Sequence, residues 1–445
     1  MKWIMGLGII LSSVVSAQTV KVLTLEEAIG IGEENSKVLH ISAAKVDAAS
    51  ARSGEARAAM LPAVKFEGSY RRFSDVEPFQ IQPPGFPVPY TVSPTVLNNY
   101  SLRATLQQPL FTGFRLVSNA RAAEHLAQAS EYDNRNDHSD LVLSITASYW
   151  MLFQTIQSKK YVDENISRLH ADLNDTENLM KAGMATRNDL LRIRVQLSNA
   201  ELYQIDAAND VQVAAMNLNI VMGLPLETHI QPASVPGTNA GTRHRLPLDS
   251  LMSPQGLVMK ALSVRPDLQA MQSRVEASRA GVTAARGSWW PQIFLTGNYY
   301  HSRPNPRIMP TKDQFISTWD VGLLVQFDVW NWGITLFQAE QAKATLLQNE
   351  FLFEQLKDNA SFDINRYFLS FKRAQEKISV ANLAVEQAEE NARTTSDKFK
   401  NGLATTSDVL DADVSLLQSR TNLTGALVEY ELAQARLAKA AGELH

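Results

Sequence analysis

The sequence predicts a mainly α-helical fold with a small β part, in which long coiled-coil hairpins and four strands per chain are laid out in two copies of one pattern. Three observations predict it. Blocks of sequence recur at long range, two stretches of about 65 residues carry no proline, and four short segments alternate apolar and polar residues.

The chain has 445 residues, 45% of them hydrophobic, which is ample for a core. With 42 Lys+Arg against 46 Asp+Glu the net charge is −4, so nothing suggests a nucleic-acid partner. The absence of Cys excludes disulfides, thiol nucleophiles and thiolate metal sites. No two of the eight His stand at H-x-x-x-H spacing, and no phosphate-binding loop follows the leader, so no enzyme, cofactor or metal centre is expected.

Residues 1–17 read as a cleavable secretory signal peptide. Lys2 precedes an apolar run from Trp3 to Leu11, and Val15-Ser16-Ala17 offers small residues before a cut at Gln18. No Cys follows the cut, so lipidation there is not expected. Without Lys2 the charge becomes −5. No later apolar run reaches the ~18 residues of a membrane helix, so any crossing of a bilayer must use strands.

The mature chain divides into a first repeat, 18–222, a Pro-containing inter-repeat segment, 223–253, and a second repeat, 254–445. Leu39, Val46, Ala48, Ala51, Ala56, Pro62, Gly68 and Tyr70 recur 229 residues later as Leu268, Val275, Ala277, Ala280, Ala285, Pro291, Gly297 and Tyr299. Gly183, Ala185, Thr186, Asp189, Leu191 and Val195 recur 219 residues later as Gly402, Ala404, Thr405, Asp408, Leu410 and Val414.

Each repeat opens with an Ala-rich helical stretch, roughly 24–59 and 254–288, stopped by Pro62 or Pro291, since proline cannot continue a helix. Strands follow at about 63–72, 99–111, 291–301 and 317–330. One face holds Val64, Phe66, Gly68 and Tyr70; others hold Leu102, Ala104, Leu106, Leu110, then Ile293, Leu295, Gly297, Tyr299, then Val321, Leu323, Val325, Phe327, Val329. Pro-rich segments between paired strands read as exposed connections.

Proline-free helices of ~65 residues come next, each extending ~100 Å at 1.5 Å per residue. Gly183 and Gly402 break them, and a second helix returns. Its seam positions are Leu190, Leu197, Gln204, Val211, Leu218 with Ile193, Ala200, Ala207, Ala214, Val221, and in the second copy Val409, Leu416, Leu423, Tyr430, Leu437 with Ala412, Ser419, Ala426, Ala433, Ala440. Nine of ten are apolar in each copy, the mark of a coiled-coil seam. A four-helix bundle would carry the same stripe; helix length and export weigh against it.

Four strands cannot close a membrane barrel, and spanning requires closure because every backbone polar group in lipid needs a partner. Three chains give twelve strands, hence a trimeric transmembrane barrel. Two chains give eight, a barrel filled by its own side chains. Five of seven Trp fall within 289–332; Trp289 and Trp290 precede one strand, and Trp330 and Trp332 follow another, as in a membrane-interface belt.

The pattern resembles the TolC-like outer-membrane efflux proteins over essentially the whole mature chain. The resemblance rests on Leu-Pro-Ala-Val-Lys-Phe (61–66), Trp-Pro-Gln-Ile (290–293), Gln-Pro-Leu-Phe-Thr-Gly-Phe-Arg (108–115), and the paired turns Lys-Ala-Gly-Met-Ala-Thr-Arg-Asn-Asp-Leu-Leu (181–191) and Lys-Asn-Gly-Leu-Ala-Thr-Thr-Ser-Asp-Val-Leu-Asp (400–411). It implies a homotrimer in the outer membrane of a Gram-negative bacterium, with a β-barrel continuous with an α-helical barrel in the periplasm. It also implies docking to a periplasmic adaptor and an inner-membrane transporter of RND, ABC or MFS type. The channel then conducts drugs, metals, toxins or proteins passively.

The turns Gly183–Met184–Ala185–Thr186 and Gly402–Leu403–Ala404–Thr405 are the expected adaptor-docking sites. Their glycines suit positive φ. A helix start explains Asp189 and Asp408 about as well as a gate does, with Thr406 or Ser407 placed to cap. It explains Asp411 less well, since Asp408 and Asp411 are three apart on one helix face. By resemblance these two line the periplasmic constriction, as stacked rings that favour cations. The family's closing Arg and Tyr are replaced by Ala404 and Phe399, leaving Arg187 and Asp189 as candidate tip contacts. The rival reading is a periplasmic adaptor or coiled-coil scaffold; two hairpins and alternating aromatic strands oppose it.

Overall fold

The computed structural model describes residues 20–93, 95–236 and 253–444. The expected leader (1–17) and residues 237–252 of the inter-repeat segment lie outside the described residues. The first copy contains β1 (Lys21–Leu23), α1 (Leu25–Asn35), α2 (Lys37–Ala58), β2 (Ala63–Arg72), β3 (Phe79–Ile81), β4 (Tyr90–Ser93), β5 (Asn98–Phe111), α3 (Arg115–Lys181) and α4 (Arg187–Met222). After β6 (Ile230–Pro232), the second contains α5 (Pro254–Val264), α6 (Pro266–Arg286), β7 (Gln292–Arg303), β8 (Ile316–Gln326), α7 (Ile334–Lys400) and α8 (Thr406–Ala440). Both α3 and α7 run 67 residues.

The two opening helical stretches are each split. Arg265 is extended because Pro266 follows and disfavours the helical region for its predecessor. Ser36 is extended too; its amide closes α1 on the Gly32 carbonyl at 2.9 Å, and its hydroxyl accepts from the Val38 amide at 3.3 Å to start α2.

The chain forms two compact units. One, residues 43–133 and 267–357, holds an antiparallel sheet in the order β2-β5-β7-β8. Its register aligns the apolar rows. Phe66 faces Ala104, Ala104 faces Tyr299 and Tyr299 faces Trp319; Val64, Leu106, Gly297 and Val321 form the next row. All these side chains share one side, and Val64, Phe66, Trp319, Val321 and Leu323 are exposed there. The opposite side is polar: Glu67, Arg103 and Tyr300 form one row, and Lys65, Thr105, Asn298 and Asp320 another. Arg103 donates to Asn298 Oδ1 at 2.8 Å, and Asn298 Nδ2 donates to Asp320 at 2.8 Å.

β8 ends at Gln326, short of the expected 330, because its partner ends there. Gln326 pairs with Gln292, and Pro291 before it has no N–H to extend the ladder. Phe327 and Val329 therefore lie beyond the strand. In the Pro-rich connection 73–97, β3 and β4 pair as a short hairpin rather than running as plain loop. At the strand-to-helix corner Gly113 (φ 60°) approaches Gly287 so closely that a Cβ there would lie 2.1 Å from the Gly287 carbonyl oxygen.

The other unit, residues 20–42, 134–266 and 358–444 as described, contains the main core. Tyr149, Trp150, Ile145, Leu218, Met222, Ile364 and Leu437 are its large, fully buried side chains. Burying each contributes roughly 1.5–3 kcal/mol. Tyr149 and Trp150 meet edge to face at 5.3 Å. The Tyr149 hydroxyl donates to the Leu23 carbonyl and accepts from the Ser234 amide, each at 2.9 Å. It thereby ties the β1–β6 pair, a parallel ladder too short to leave a readable alternation, to α3.

Candidate functional site

The two turns are built alike, stop signal followed by start signal. The Gly183 amide donates to the Met180 carbonyl at 3.0 Å and the Met184 amide to Leu179 at 2.8 Å; Gly402 to Phe399 (2.9 Å) and Leu403 to Lys398 (2.8 Å) repeat the pair. This is a Schellman ending, and φ of 74° and 70° explains why glycine stands at both places. Thr186 and Thr405 then cap α4 and α8. Thr405, not Thr406 or Ser407, is the cap.

Each cap is a reciprocal box. The Asp189 amide donates to Thr186 Oγ1, while the Thr186 amide and hydroxyl donate to the Asp189 carboxylate at 2.9 and 2.6 Å. Asp408 receives the Thr405 amide at 2.8 Å and hydroxyl at 2.7 Å. The Thr186 and Thr405 hydroxyls, then their amides, hold these carboxyls below the usual carboxylate range. Asp408 is thus committed to its own helix start. Asp411, one turn on, is exposed and makes no hydrogen bond or ion pair among the described residues.

The turns touch each other: a Cβ on Gly402 would lie 2.7 Å from Met184 Cε. Met184 and Leu403 are 61% and 77% exposed, apolar tips left uncovered by the described residues. Below them Leu410 of α8 packs with Leu169, Ile193, Leu197 and Ala200. Arg187 is exposed with no partner among the described residues; Arg192 instead links the hairpins, donating to Ser407 Oγ at 2.8 Å. Ala185 and Ala404 are half-buried, and Phe399 is buried at the end of α7.

The seam residues Leu190, Ile193, Leu197, Ala200, Ala214 and Leu218 are buried, as are Val409, Ala412, Leu416, Ala426, Ala433, Leu437 and Ala440. Gln204, the polar member of the first seam, donates to Asp163 at 2.7 Å. In the sheet-bearing unit Trp289, Trp290, Trp330 and Trp332 are all exposed, with Trp330 and Trp332 edge to face at 5.8 Å. Trp330 and Trp332 lie in the corner beyond β8, not in the strand.

Long paired helices in one unit and an open sheet with one exposed apolar face in the other are the features by which the chain can be compared with known proteins. Among the described residues no helix is long and apolar enough to cross a membrane. The sequence model of the family "Outer membrane efflux protein" matches twice, over residues 30–224 and 257–443. The chain is 24% identical over 434 residues to the "Probable efflux pump outer membrane protein TtgC" of Pseudomonas putida, covering 94% of this chain and 82% of that one. It is 23% identical over 350 residues to the "Alkaline protease secretion protein AprF" of Pseudomonas aeruginosa, covering 78% and 70%. Its fold is similar to that of the Campylobacter jejuni CmeC outer membrane channel, with a TM-score of 0.79 at 16% identity over 94% of this chain and 85% of that one.

The chain belongs to the outer membrane efflux protein family. As a member it is an outer-membrane channel of the efflux and secretion type, and the adaptor and scaffold readings fall away.

Proposed function

We propose that three copies close their sheets into a twelve-stranded barrel in the outer membrane of a Gram-negative cell. In this reading the helical hairpins form a periplasmic conduit, gated where the paired turns lie. The observation that carries it is the sheet: four strands, one apolar exposed face, and two edges, β2 and β8, each with a single neighbour among the described residues. Closure by further copies supplies partners for those edges. The strands hold 10 to 14 residues, against the ~9–11 a tilted strand needs to span a bilayer. Exposed Trp289, Trp290, Trp330 and Trp332 suit the lipid headgroup region, where an apolar ring with a polar tip is favoured.

A periplasmic adaptor docks on Gly183–Thr186 and Gly402–Thr405, burying the apolar tips Met184 and Leu403, and binds the open arrangement more tightly than the closed one. The inner-membrane transporter of RND, ABC or MFS type supplies the driving force; solute passes down the duct without further work.

Asp411 is the charge that faces the constriction unpaired, and Asp408 chiefly starts α8. Stacked threefold, such carboxylates favour cations. Asp411→Asn should lower the cation-to-anion permeability ratio in planar bilayers and weaken block by divalent cations, and Asp408→Asn should do so less. A channel whose selectivity ignores Asp411 would remove it from the gate. A purified protein that is monomeric and water-soluble, with no conductance, would end the channel reading.

A further inference from the structure

One contact between α3 of the first repeat and α8 of the second sets like charges together. Asp172 and Asp413 are 7% and 6% exposed, and their carboxyls interact directly. Two desolvated carboxylates in contact cannot both ionise without a heavy penalty. Among the described residues one cation is bonded to the pair: Arg168 Nε donates to Asp413 Oδ1 at 3.0 Å. Asp172 Oδ2 and Asp413 Oδ2 receive no hydrogen bond from any described residue. One guanidinium balances one carboxylate, and the second carboxyl is left to be neutral.

Among the described residues, the other cations that line this cleft make no hydrogen bond or ion pair with Asp172 or Asp413. Asp172 and Asp413 line a cleft of about 460 Å³ among α3, α7 and α8. From α3 it also receives Asp175, a further anion. From α8 comes Arg420, already bonded to Glu164 and to Glu389 of α7. Arg393 of α7 is bonded to Glu390, and Lys400 of α7 also lines the cleft. On its other side Asp413 lines a second cleft together with Asp206 and Asp210 of α4, both acidic.

We propose that Asp172 and Asp413 are a binding site for a single proton, which fastens α8 to the first hairpin and is released when the tip opens. With the proton present, the Asp172 hydroxyl donates to the Asp413 carboxylate, and Arg168 holds the far oxygen. When it leaves, two largely buried anions face one guanidinium. Arg168 and Asp172 are both on α3, so relief comes by moving α8, the helix that carries Asp411. Asp172 lies 11 residues before Gly183 and Asp413 11 residues after Gly402, about three helical turns at 3.6 residues per turn. Burial, then the Asp413 charge, pushes Asp172 up to about 7; burial raises Asp413 as well, opposed by Arg168.

The folded chain therefore holds the proton more tightly than the unfolded chain. Stability from the pair is complete below the ordinary carboxylate pKa and is lost as pH rises toward 7. The consequence for gating rests on the channel reading above; the proton site does not.

Two measurements on the purified full chain in detergent separate them. In thermal melts at pH 5 and pH 8, the parent should lose more stability on going to pH 8 than Asp172→Asn, whose amide keeps the donor and cannot ionise. Asp413→Asn should also flatten the dependence, because Asp172 then has Arg168 to itself. In planar bilayers the open probability of the parent should rise severalfold from pH 6 to pH 8 and stay level in Asp172→Asn. Equal pH slopes in the melts of all three proteins overturn the proton site. Flattened melts with no conductance in any of them uphold the site and remove the channel reading. Conductance with one shared pH profile removes the link between proton and gate.

Discussion

At the scale of single residues, the two turns show how little sequence is needed to reverse a helix. Gly, a spacer, Ala, a capping Thr and an Asp three residues on build it, and the box meets two of the four amides that a helix start leaves open. Thr405→Ala removes the acceptor for the Asp408 amide and should cost about 1 kcal/mol. Gly183→Ala has open space for its methyl but φ of 74°, which places its cost at about 1–2 kcal/mol. Both are measurable as shifts in thermal melts, and Thr405→Ser should restore most of the cap. Because the Thr405 hydroxyl and amide hold Asp408 below the usual range, its contribution is present at neutral pH and fades as pH falls through that lowered pKa.

The turn motif was legible as a repeated Gly-to-Asp pattern, but its cap is Thr405, three residues before Asp408, one or two places earlier than the expected Thr406 or Ser407. Arg192 to Ser407, 215 residues apart, and Arg168 to Asp413, 245 apart, were not legible. No local pattern distinguishes a buried Asp413 from the exposed Asp411 two places earlier; only the packing of α3 against α8 does.

At the scale of elements, period and length were readable and the ends were not. Seam positions such as Ile193, Leu197, Val409 and Leu416 are buried because a heptad stripe can face only one way. Strand alternation gave the apolar rows but not their alignment, which depends on which strand lies beside which. The strand-to-helix corners were missed for a related reason: they are set by backbone approach across the chain. Gly113 sits where a methyl would meet the Gly287 carbonyl oxygen at 2.1 Å and Trp290 Cβ at 2.8 Å. Those are fixed atoms, not the end of a flexible side chain. Gly113→Ala should therefore exceed the ~1–2 kcal/mol of its φ penalty, whereas Gly85→Ala, at φ 93° with nothing within 4 Å, should stay near it. Melting temperatures of the two variants, compared with the parent, check the difference. Equal losses would mean that the corner relaxes freely.

At the scale of the whole molecule, what the chain leaves exposed is as informative as what it buries. A sheet with Val64, Phe66, Trp319, Val321 and Leu323 outward would be an aggregation hazard in water, and its free edges would be templates for pairing. In the proposed barrel, lipid on the apolar face and neighbouring copies at the edges would remove both hazards together. The two sides of one strand then make opposite demands. Phe66 lies in the apolar row and Ser69 in the polar one, both on β2. Phe66→Arg would place a charge against hydrocarbon, at roughly 2–4 kcal/mol near the bilayer midplane. Ser69→Arg would place the same charge in a water-filled lumen at little cost. Trimer yield in the outer membrane, read on unheated gels, should therefore fall for Phe66→Arg and hold near the parent for Ser69→Arg. If the order were reversed, or if both assembled equally well, the apolar row would not face lipid and the barrel would have to be closed with its other side outward.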